Sequence, residues 1–143
     1  MRVDTALLCD AVTVREGLLH ILGGGITHGT RDEFPAPLGV QLALRVLLHP
    51  TEIERPHGVE ILLQDADGAQ VTKAQIAIQL PPDMPVPPGQ EASLPIAWTF
   101  PAQPPLPHPG QYSFEVLVDG VHQVSVPFTV VTQVEAEQGG ESE

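Results

Sequence analysis

The sequence is poor in basic residues, and this lack argues against whole classes of partner. Six lysines and arginines stand against 18 aspartates and glutamates, which gives a formal net charge of −12. Nucleic-acid binding needs clustered Lys and Arg side chains that neutralise phosphates, and the basic residues here are scattered along the chain. We therefore expect neither nucleic acid nor an anionic membrane as a partner.

Cysteine is nearly absent as well. Cys9 is the single cysteine, so the chain can form neither an internal disulfide nor a site with several thiolate ligands. Its neighbours Leu7 and Leu8 predict a small, buried side chain rather than a reactive thiol.

Long apolar runs are missing too. No segment approaches the roughly 20 apolar residues of a membrane-spanning helix. The first ten residues meet Asp4 before any long apolar stretch, which predicts no signal peptide and a cytoplasmic location.

Aromatic residues make up only 4% of the chain and apolar residues 42%, so the core must be mainly aliphatic. A length of 143 residues argues for one domain. A domain of this size folds without a metal or disulfide, and we expect no cofactor.

What the sequence does have is apolar side chains on alternate residues, the period of a half-buried strand. In the first such segment Val40, Leu42 and Leu44 point inward, whereas Gln41 and Arg45 point outward. Five further segments repeat the pattern, and no useful stretch has helical periodicity. Their inward positions are Val59, Ile61 and Leu63; Ala74, Ile76, Ile78 and Leu80; Leu94, Ile96, Trp98 and Phe100; Tyr112, Phe114, Val116 and Val118; and Val124, Val126, Phe128 and Val130.

Turn residues separate these segments. Asp65-Ala66-Asp67-Gly68 and Asp119-Gly120 predict hairpin turns, in which glycine supplies a positive φ. Pro95 and Pro127 fall inside predicted strands at outward positions, where an edge tolerates a missing donor. The longer connections are rich in proline and span residues 49–58, 81–91 and 101–110.

The first 35 residues are less regular. Residues 6–14 predict one strand, Arg15-Glu16-Gly17 a turn and residues 18–22 a second strand. Gly23-Gly24-Gly25 lacks the Lys-Ser/Thr pair of a phosphate-binding loop. It favours a bulge, or a strand that switches between sheets, before residues 26–31.

Together these patterns predict an all-β fold, a single-domain two-sheet antiparallel sandwich of about seven to nine strands. The sandwich is expected over residues 1–132, followed by an acidic, disordered tail over residues 133–143. The stretch Tyr112-Ser113-Phe114-Glu115-Val116 is similar to a late strand of immunoglobulin-like sandwiches, although the cysteine pair of true immunoglobulin domains is absent.

Two groups of motifs resemble a family of small bacterial proteins of unknown function. The resemblance extends to about Thr132, supports a β-sandwich and supplies no catalytic residues to transfer. The motifs are Leu7-Leu8-Cys9-Asp10, Glu16-Gly17-Leu18, Leu22-Gly23-Gly24-Gly25 and Phe34-Pro35 at the start, and residues 109–120 with Pro127-Phe128 at the end.

No catalytic constellation stands out. Nucleophilic hydrolysis needs a Ser, Cys or Thr beside a His that an acid orients. None of Ser93, Ser113, Ser125 and Ser142 lies in a Gly-x-Ser-x-Gly turn. We therefore expect a protein that is not an enzyme.

Six histidines make metal binding the sharper alternative, although no His-x-His or His-Glu-x-x-His spacing is present. If successive strands alternate in direction, the loops at residues 49–58 and 81–91 meet the turn at Asp119-Gly120 at one end. This loop rim would carry imidazoles and carboxylates, which suit zinc or a similar ion or a small ligand; solvent-exposed loop histidines are the other interpretation. The candidate ligands are His49, His57, Asp83, Asp119 and His122.

The third class of function is protein interaction. Sandwiches expose edge strands that can pair with an extended peptide or with a second copy of the chain. Leu47, Leu62 and Leu117 fall at outward positions of otherwise polar faces, and together they can form a patch. We therefore expect a protein partner or a homo-oligomer.

Overall fold

The computed structural model describes residues 1–81, 86–100 and 104–133. These residues form an all-β fold with ten strands, one more than the upper end of the predicted range, and a short 3₁₀ helix (Pro50–Glu52). Most of the predicted acidic tail, residues 134–143, lies outside the described part. The strands are β1 (Arg2–Cys9), β2 (Ala11–Arg15), β3 (Leu18–Leu22), β4 (His28–Arg31), β5 (Gln41–Leu48), β6 (His57–Asp65), β7 (Gln70–Ile78), β8 (Ala92–Thr99), β9 (Gly110–Val118) and β10 (Val121–Thr132).

Two main sheets form the predicted sandwich. The first has three strands in the order β1-β5-β8, and the second has five in the order β4-β10-β9-β6-β7. Their pairs are antiparallel, except that β4 runs parallel to β10, with His28 opposite Thr129. The remaining strands, β2 and β3, pair with each other as a separate hairpin.

The core lies between the two main sheets and follows the predicted alternation. Leu42 and Leu44 of β5 are fully buried, as are Phe114 of β9 and Phe128 of β10. The rings of Phe114 and Phe128 are 6.4 Å apart, and Phe100 lies 5.1 Å from Phe114, across the sandwich. This aliphatic core with a few rings is what the composition indicated.

Ile76 is an exception, because 39% of its surface is exposed although parity predicted an inward side chain. It shares a face with buried Val59, its register partner on β6. The strand that carries it, β7, is the outermost of the five-stranded sheet. A five-stranded sheet is wider than the three-stranded sheet packed against it, so its edge is left uncovered.

The two prolines inside strands lie at free edges, as predicted. Pro95 is on β8, an edge of the three-stranded sheet. Pro127 faces Ser113 on one side only, because the pairing of β10 with β4 begins at Thr129. Neither proline removes a donor that another strand needs.

The prediction of one strand over residues 6–14 was wrong, because the chain turns at Asp10. The amide of Asp10 donates to the carbonyl of Leu22, which closes the base of the β2–β3 hairpin. Glu16 and Gly17 both have positive φ, the geometry of a tight two-residue hairpin turn. The triple glycine then takes the chain to β4 in the other sheet, which agrees with the predicted switch.

Candidate functional site

The predicted loop rim brings together one pair, the buried His57 and the exposed Asp119. His57 begins β6 and is almost fully buried. Its Nδ1 lies 2.7 Å from Asp119 Oδ2, and its Nε2 lies 2.8 Å from the carbonyl oxygen of Glu52. The other carboxylate oxygen of Asp119 accepts a hydrogen bond of 2.9 Å from the amide of Gly58.

This geometry favours a charged imidazole. A neutral imidazole has one N–H, but both ring nitrogens of His57 face oxygens that can only accept when Asp119 is ionised. Burial lowers the pKa of His57, yet the bonds to Asp119 and to Glu52 outweigh it, and the pKa lies above its ordinary value. The bonds from His57 and from Gly58 hold the pKa of Asp119 below its ordinary value.

His49 serves its own loop instead. Its Nδ1 accepts from the amide of Thr51 at 3.2 Å, and its backbone amide donates to Glu52 Oε1 at 2.9 Å. These reciprocal bonds cap the 3₁₀ helix. The same Glu52 oxygen lies 2.7 Å from the α-amino nitrogen of Met1, and both contacts lower the pKa of Glu52.

The proposed metal ligands therefore do not converge in the described part of the chain. Asp83 lies outside the described residues, and His122 contacts Glu115 on the outer face of the five-stranded sheet. Within residues 1–81, 86–100 and 104–133, no three His, Cys, Asp or Glu side chains are grouped to hold a metal ion. Both nitrogens of His57 already have protein partners, so metal binding there would break existing bonds.

A cavity of about 500 Å³ does open at the loop rim, beside the 3₁₀ helix and the end of β7. Its volume is within the range of small-molecule sites. His57 and Asp119 do not line it. Among the described residues, the lining combines proline and aliphatic side chains with three polar ones, and includes Pro50, Ile53, Glu54, Gln79, Leu80 and Gln90.

A second polar cluster, which the sequence did not reveal, joins Glu115, His122 and Ser125. Ser125 Oγ donates to Glu115 Oε2, and His122 Nε2 lies 2.6 Å from that oxygen and 3.2 Å from Ser125 Oγ. A hydrolytic triad needs the acid and the serine on different ring nitrogens. Here both contact Nε2, so the cluster lacks that arrangement. The register of Ser125 opposite Glu115 explains the contact.

The three outward leucines do not form one patch. Leu62 and Leu117 are diagonal neighbours on the outer face of the five-stranded sheet, since Leu62 is opposite Glu115 and Leu117 opposite Glu60. Leu47 belongs to the other sheet. The outer face of that three-stranded sheet lies on the opposite side of the sandwich, so Leu47, Leu62 and Leu117 do not form a single patch.

The largest apolar exposure lies on the β2–β3 hairpin. The described residues include six large hydrophobic side chains that are exposed, and four of them belong to this hairpin. Leu22 is 69% exposed and Leu18 61%, followed by Val14 at 41% and Ile21 at 37%. Neither the glycine motifs nor the alternation pattern predicted an exposed apolar surface here.

One face of the hairpin is partly covered, although Val14 and Ile21 on it remain exposed, and the other face is open. Val12 pairs with Ile21 and Val14 with Leu19 on the face turned toward the three-stranded sheet, where Val12 and Leu19 are partly buried. The open face is exposed at every position, and consists of Ala11, Thr13, Arg15, Leu18, His20 and Leu22.

The covered face explains two outward residues of the three-stranded sheet that are fully buried, Cys9 and Ala43. Contact is direct: the amide of Val12 donates to Gln41 Oε1 at 2.9 Å, and β2 and β3 both lie against β8. Burial also raises the pKa of the Cys9 thiol. The predicted burial of this cysteine is thus confirmed.

The outer edge of β3 is the least protected strand edge in the described structure. Proteins usually guard such edges with charges or proline. The other edge strands carry Arg2 and Asp4 on β1, Arg15 on β2, Arg31 on β4, Lys73 on β7 and Pro95 on β8. The sequence of β3, Leu-Leu-His-Ile-Leu, contains neither a charged side chain nor a proline.

Comparison with known proteins places this chain in a family. No helix in the described part of the chain is long and apolar enough to cross a membrane. No curated protein matches the sequence. The sequence model of one family does match, over residues 4–131, and that family is described as a family of unknown function (DUF6941). The match spans nearly the whole sandwich, so the chain belongs to this family of unknown function, as its opening and closing motifs indicated.

Proposed function

We propose that this protein is a protein-interaction module whose contact surface is the β2–β3 hairpin. The partner that suits this surface is an extended apolar strand, which adds to the open edge of β3 and covers the exposed leucines. The observation that carries the proposal is the concentration of exposed apolar side chains on this one hairpin. Exposed apolar side chains that cluster on one element of a folded domain can mark an interaction site.

The energetics support a contact at this position. Full burial of a leucine side chain stabilises an association by roughly 1.5–3 kcal/mol before the costs of binding are counted. Leu18 and Leu22 are the two most exposed of the hairpin's large hydrophobic residues. Main-chain hydrogen bonds to a free strand edge add to this, as in other cases of strand addition.

The hairpin is also the neutral part of a strongly acidic chain. Residues 11–25 contain one basic side chain, Arg15, and one acidic side chain, Glu16, against a net charge of −12 for the whole protein. A partner strand docking here therefore meets little local repulsion. Charged groups are depleted at the centre of protein interfaces, and this composition fits that tendency.

The test compares matched glutamate substitutions. Leu22→Glu places a charge on the hairpin, and Val121→Glu places one at a position of similar exposure, 61%, in the distant β9–β10 hairpin. Proteins retained from a lysate by the wild type and by Val121→Glu, but lost with Leu22→Glu, are candidate partners. A candidate counts only if the purified protein slows amide hydrogen exchange at Leu19 and Ile21.

The proposal is overturned if Leu22→Glu retains the same proteins as Val121→Glu and changes no association of the purified chain. It is also overturned if the retained proteins protect the amides of another edge strand, such as β7.

The cavity at the loop rim favours a second candidate function, the binding of a small ligand. In the described part of its lining, Glu54, Gln79 and Gln90 are the polar side chains among proline and aliphatic ones, a composition typical of ligand pockets. A screen of small ligands by thermal shift, repeated with Leu80→Ala and Gln79→Ala, tests this candidate. Ligands that stabilise both variants as well as the wild type would exclude the cavity.

A further inference from the structure

We infer that the strand that pairs with β3 is β3 of a second copy of this chain, antiparallel about a twofold axis that passes beside His20. This inference rests on the proposed function, because it names the partner of the same surface. The product is a homodimer in which two β2–β3 hairpins form one four-stranded sheet.

The sequence of β3 is complementary to itself in this arrangement. With His20 at the centre, antiparallel pairing sets Leu18 opposite Leu22 of the second copy, and Leu19 opposite Ile21 of the second copy. All four off-centre pairs are thus aliphatic, and cross-strand pairs of this kind stabilise sheets. His20 then faces its own counterpart. No charged side chain of β3 is brought into the interface.

The backbone of β3 presents its hydrogen-bonding groups in the register that this pairing needs. Val12 is opposite Ile21, and the Val12 amide points away from β3 to Gln41. Val12 and Ile21 therefore form a non-hydrogen-bonded pair. Because hydrogen-bonded and non-hydrogen-bonded pairs alternate along an antiparallel ladder, Val14 and Leu19 form a non-hydrogen-bonded pair as well. The amides and carbonyls of Leu19 and Ile21 thus face the open edge of β3. In the antiparallel dimer, Leu19 exchanges hydrogen bonds with Ile21 of the second copy, and Ile21 with Leu19 of the second copy.

Charge argues for a second copy that touches only at the hairpin. Two chains of net charge −12 repel each other, but the hairpin itself has no net charge. At the β3 edge two such chains can meet without bringing any charged side chain of the paired strands together. The other edge strands carry charges or proline, which disfavour the same kind of pairing.

The interface is small, so the dimer is expected to be weak. One five-residue strand pair with its flanking leucines falls in the class of contacts below about 1,200 Å², which are typically transient. Dimerisation should accordingly depend on protein concentration.

A single engineered cysteine tests the register. In the dimer the two His20 residues form a non-hydrogen-bonded pair with Cα atoms about 4.5 Å apart, close enough for a disulfide after His20→Cys. Thr13→Cys is the matched control, since Thr13 is also exposed and lies opposite His20 within the hairpin. Its two copies would be three strand spacings apart, roughly 14 Å, which is too far to bridge. Cys9 is fully buried and does not compete.

Under mild oxidation we expect His20→Cys to form a covalent dimer about tenfold faster, or more, than Thr13→Cys. Sedimentation equilibrium of the wild type, Leu22→Glu and Val121→Glu is measured alongside. The wild type and Val121→Glu should associate with rising concentration, and Leu22→Glu should remain monomeric.

The outcomes separate this inference from the proposed function. If the chain associates through the hairpin but the two cysteine variants cross-link at equal rates, the twofold register is wrong and the interaction surface stands. If the wild type is monomeric at every concentration, the second copy is excluded as the partner. The proposed interaction surface is then tested only by the proteins that the wild type and Val121→Glu retain from a lysate.

Discussion

His57 Nδ1 lies 2.7 Å from Asp119 Oδ2, although the two residues are 62 positions apart in the chain. The contact ties the first residue of β6 to the turn between β9 and β10. Backbone bonds reinforce it, because the amide of Asp119 donates to the carbonyl of Gly58 and the amide of Gly58 donates to the Asp119 carboxylate. The loop rim is thus held by a buried imidazole and a carboxylate.

This pair makes stability depend on pH. The pKa of His57 is raised in the folded state, so its contribution is complete below about pH 6.5, the ordinary histidine value, and is lost as the pH rises through the folded pKa. The pKa of Asp119 is lowered, so its contribution is present above about pH 3.9 and is lost as the pH falls through the folded pKa. The pair is therefore strongest between these limits.

We expect Asp119→Asn to lower the free energy of unfolding by about 1–2 kcal/mol at pH 5.5, and by less at pH 8.5. Asparagine tolerates the positive φ of this turn position, so the change isolates the charge. Urea denaturation at both pH values measures the effect. Asp67→Asn, in the exposed turn after β6, is the control, and an equal pH dependence in both variants would contradict the assigned role.

The side-chain parity of β5 to β10 could be predicted because burial on one face is a local property with a period of two residues. The meeting of His57 and Asp119 could be predicted too, since strands that alternate in direction place alternate turns at one end. The alternation of side chains along a strand does not show which strands are neighbours in a sheet. The parallel pairing of β4 with β10 and the exposure of Ile76 both depend on that order.

The exposed hairpin was missed for a related reason. Residues 6–14 are mostly apolar and contain no glycine or proline, yet Asp10 separates a strand of the three-stranded sheet from a strand that folds back over it. An apolar residue in such a segment has the same pattern whether its face is covered or open. The sequence predicted a strand over residues 18–22 but not which of its side chains are exposed, and only the packing of the hairpin shows that Leu18 and Leu22 are exposed.

Tyr112 supports the predicted immunoglobulin-like character of β9. Its hydroxyl donates to the backbone carbonyl of His108, four residues upstream, and its ring is buried. This is the arrangement of a tyrosine corner. We expect Tyr112→Phe to keep the ring in place and to cost about 1–2 kcal/mol of unfolding free energy, because the carbonyl loses its donor.

Chemical denaturation measures this cost. The control is His108→Ala, which removes the ring stacked at 5.7 Å on Tyr112 but keeps the carbonyl. That variant should stay within about 0.5 kcal/mol of the wild type. A larger loss for His108→Ala than for Tyr112→Phe would show that ring stacking, and not the hydroxyl bond, holds the corner.

Ala43 tests whether the hairpin covers the three-stranded sheet. It is fully buried at an outward position of β5, which lies against β2 of the hairpin. We expect Ala43→Leu to cost about 1–3 kcal/mol of unfolding free energy, and to speed amide exchange in β2 and β3 ahead of the other strands. Ala77→Leu, at an exposed position of β7, should change stability by at most about 0.5 kcal/mol.

Salt gives an independent test of the self-association. Two copies with a net charge of −12 repel each other at long range, whereas their contact at β3 is uncharged. Added salt screens this repulsion, because the screening length falls from about 30 Å at 0.01 M to about 8 Å at 0.15 M ionic strength. We therefore expect the dimer to dissociate less readily at 0.15 M than at 0.01 M in sedimentation equilibrium. A basic partner bound to the acidic surface would show the opposite trend, so weakening by salt would argue against a second copy as the partner.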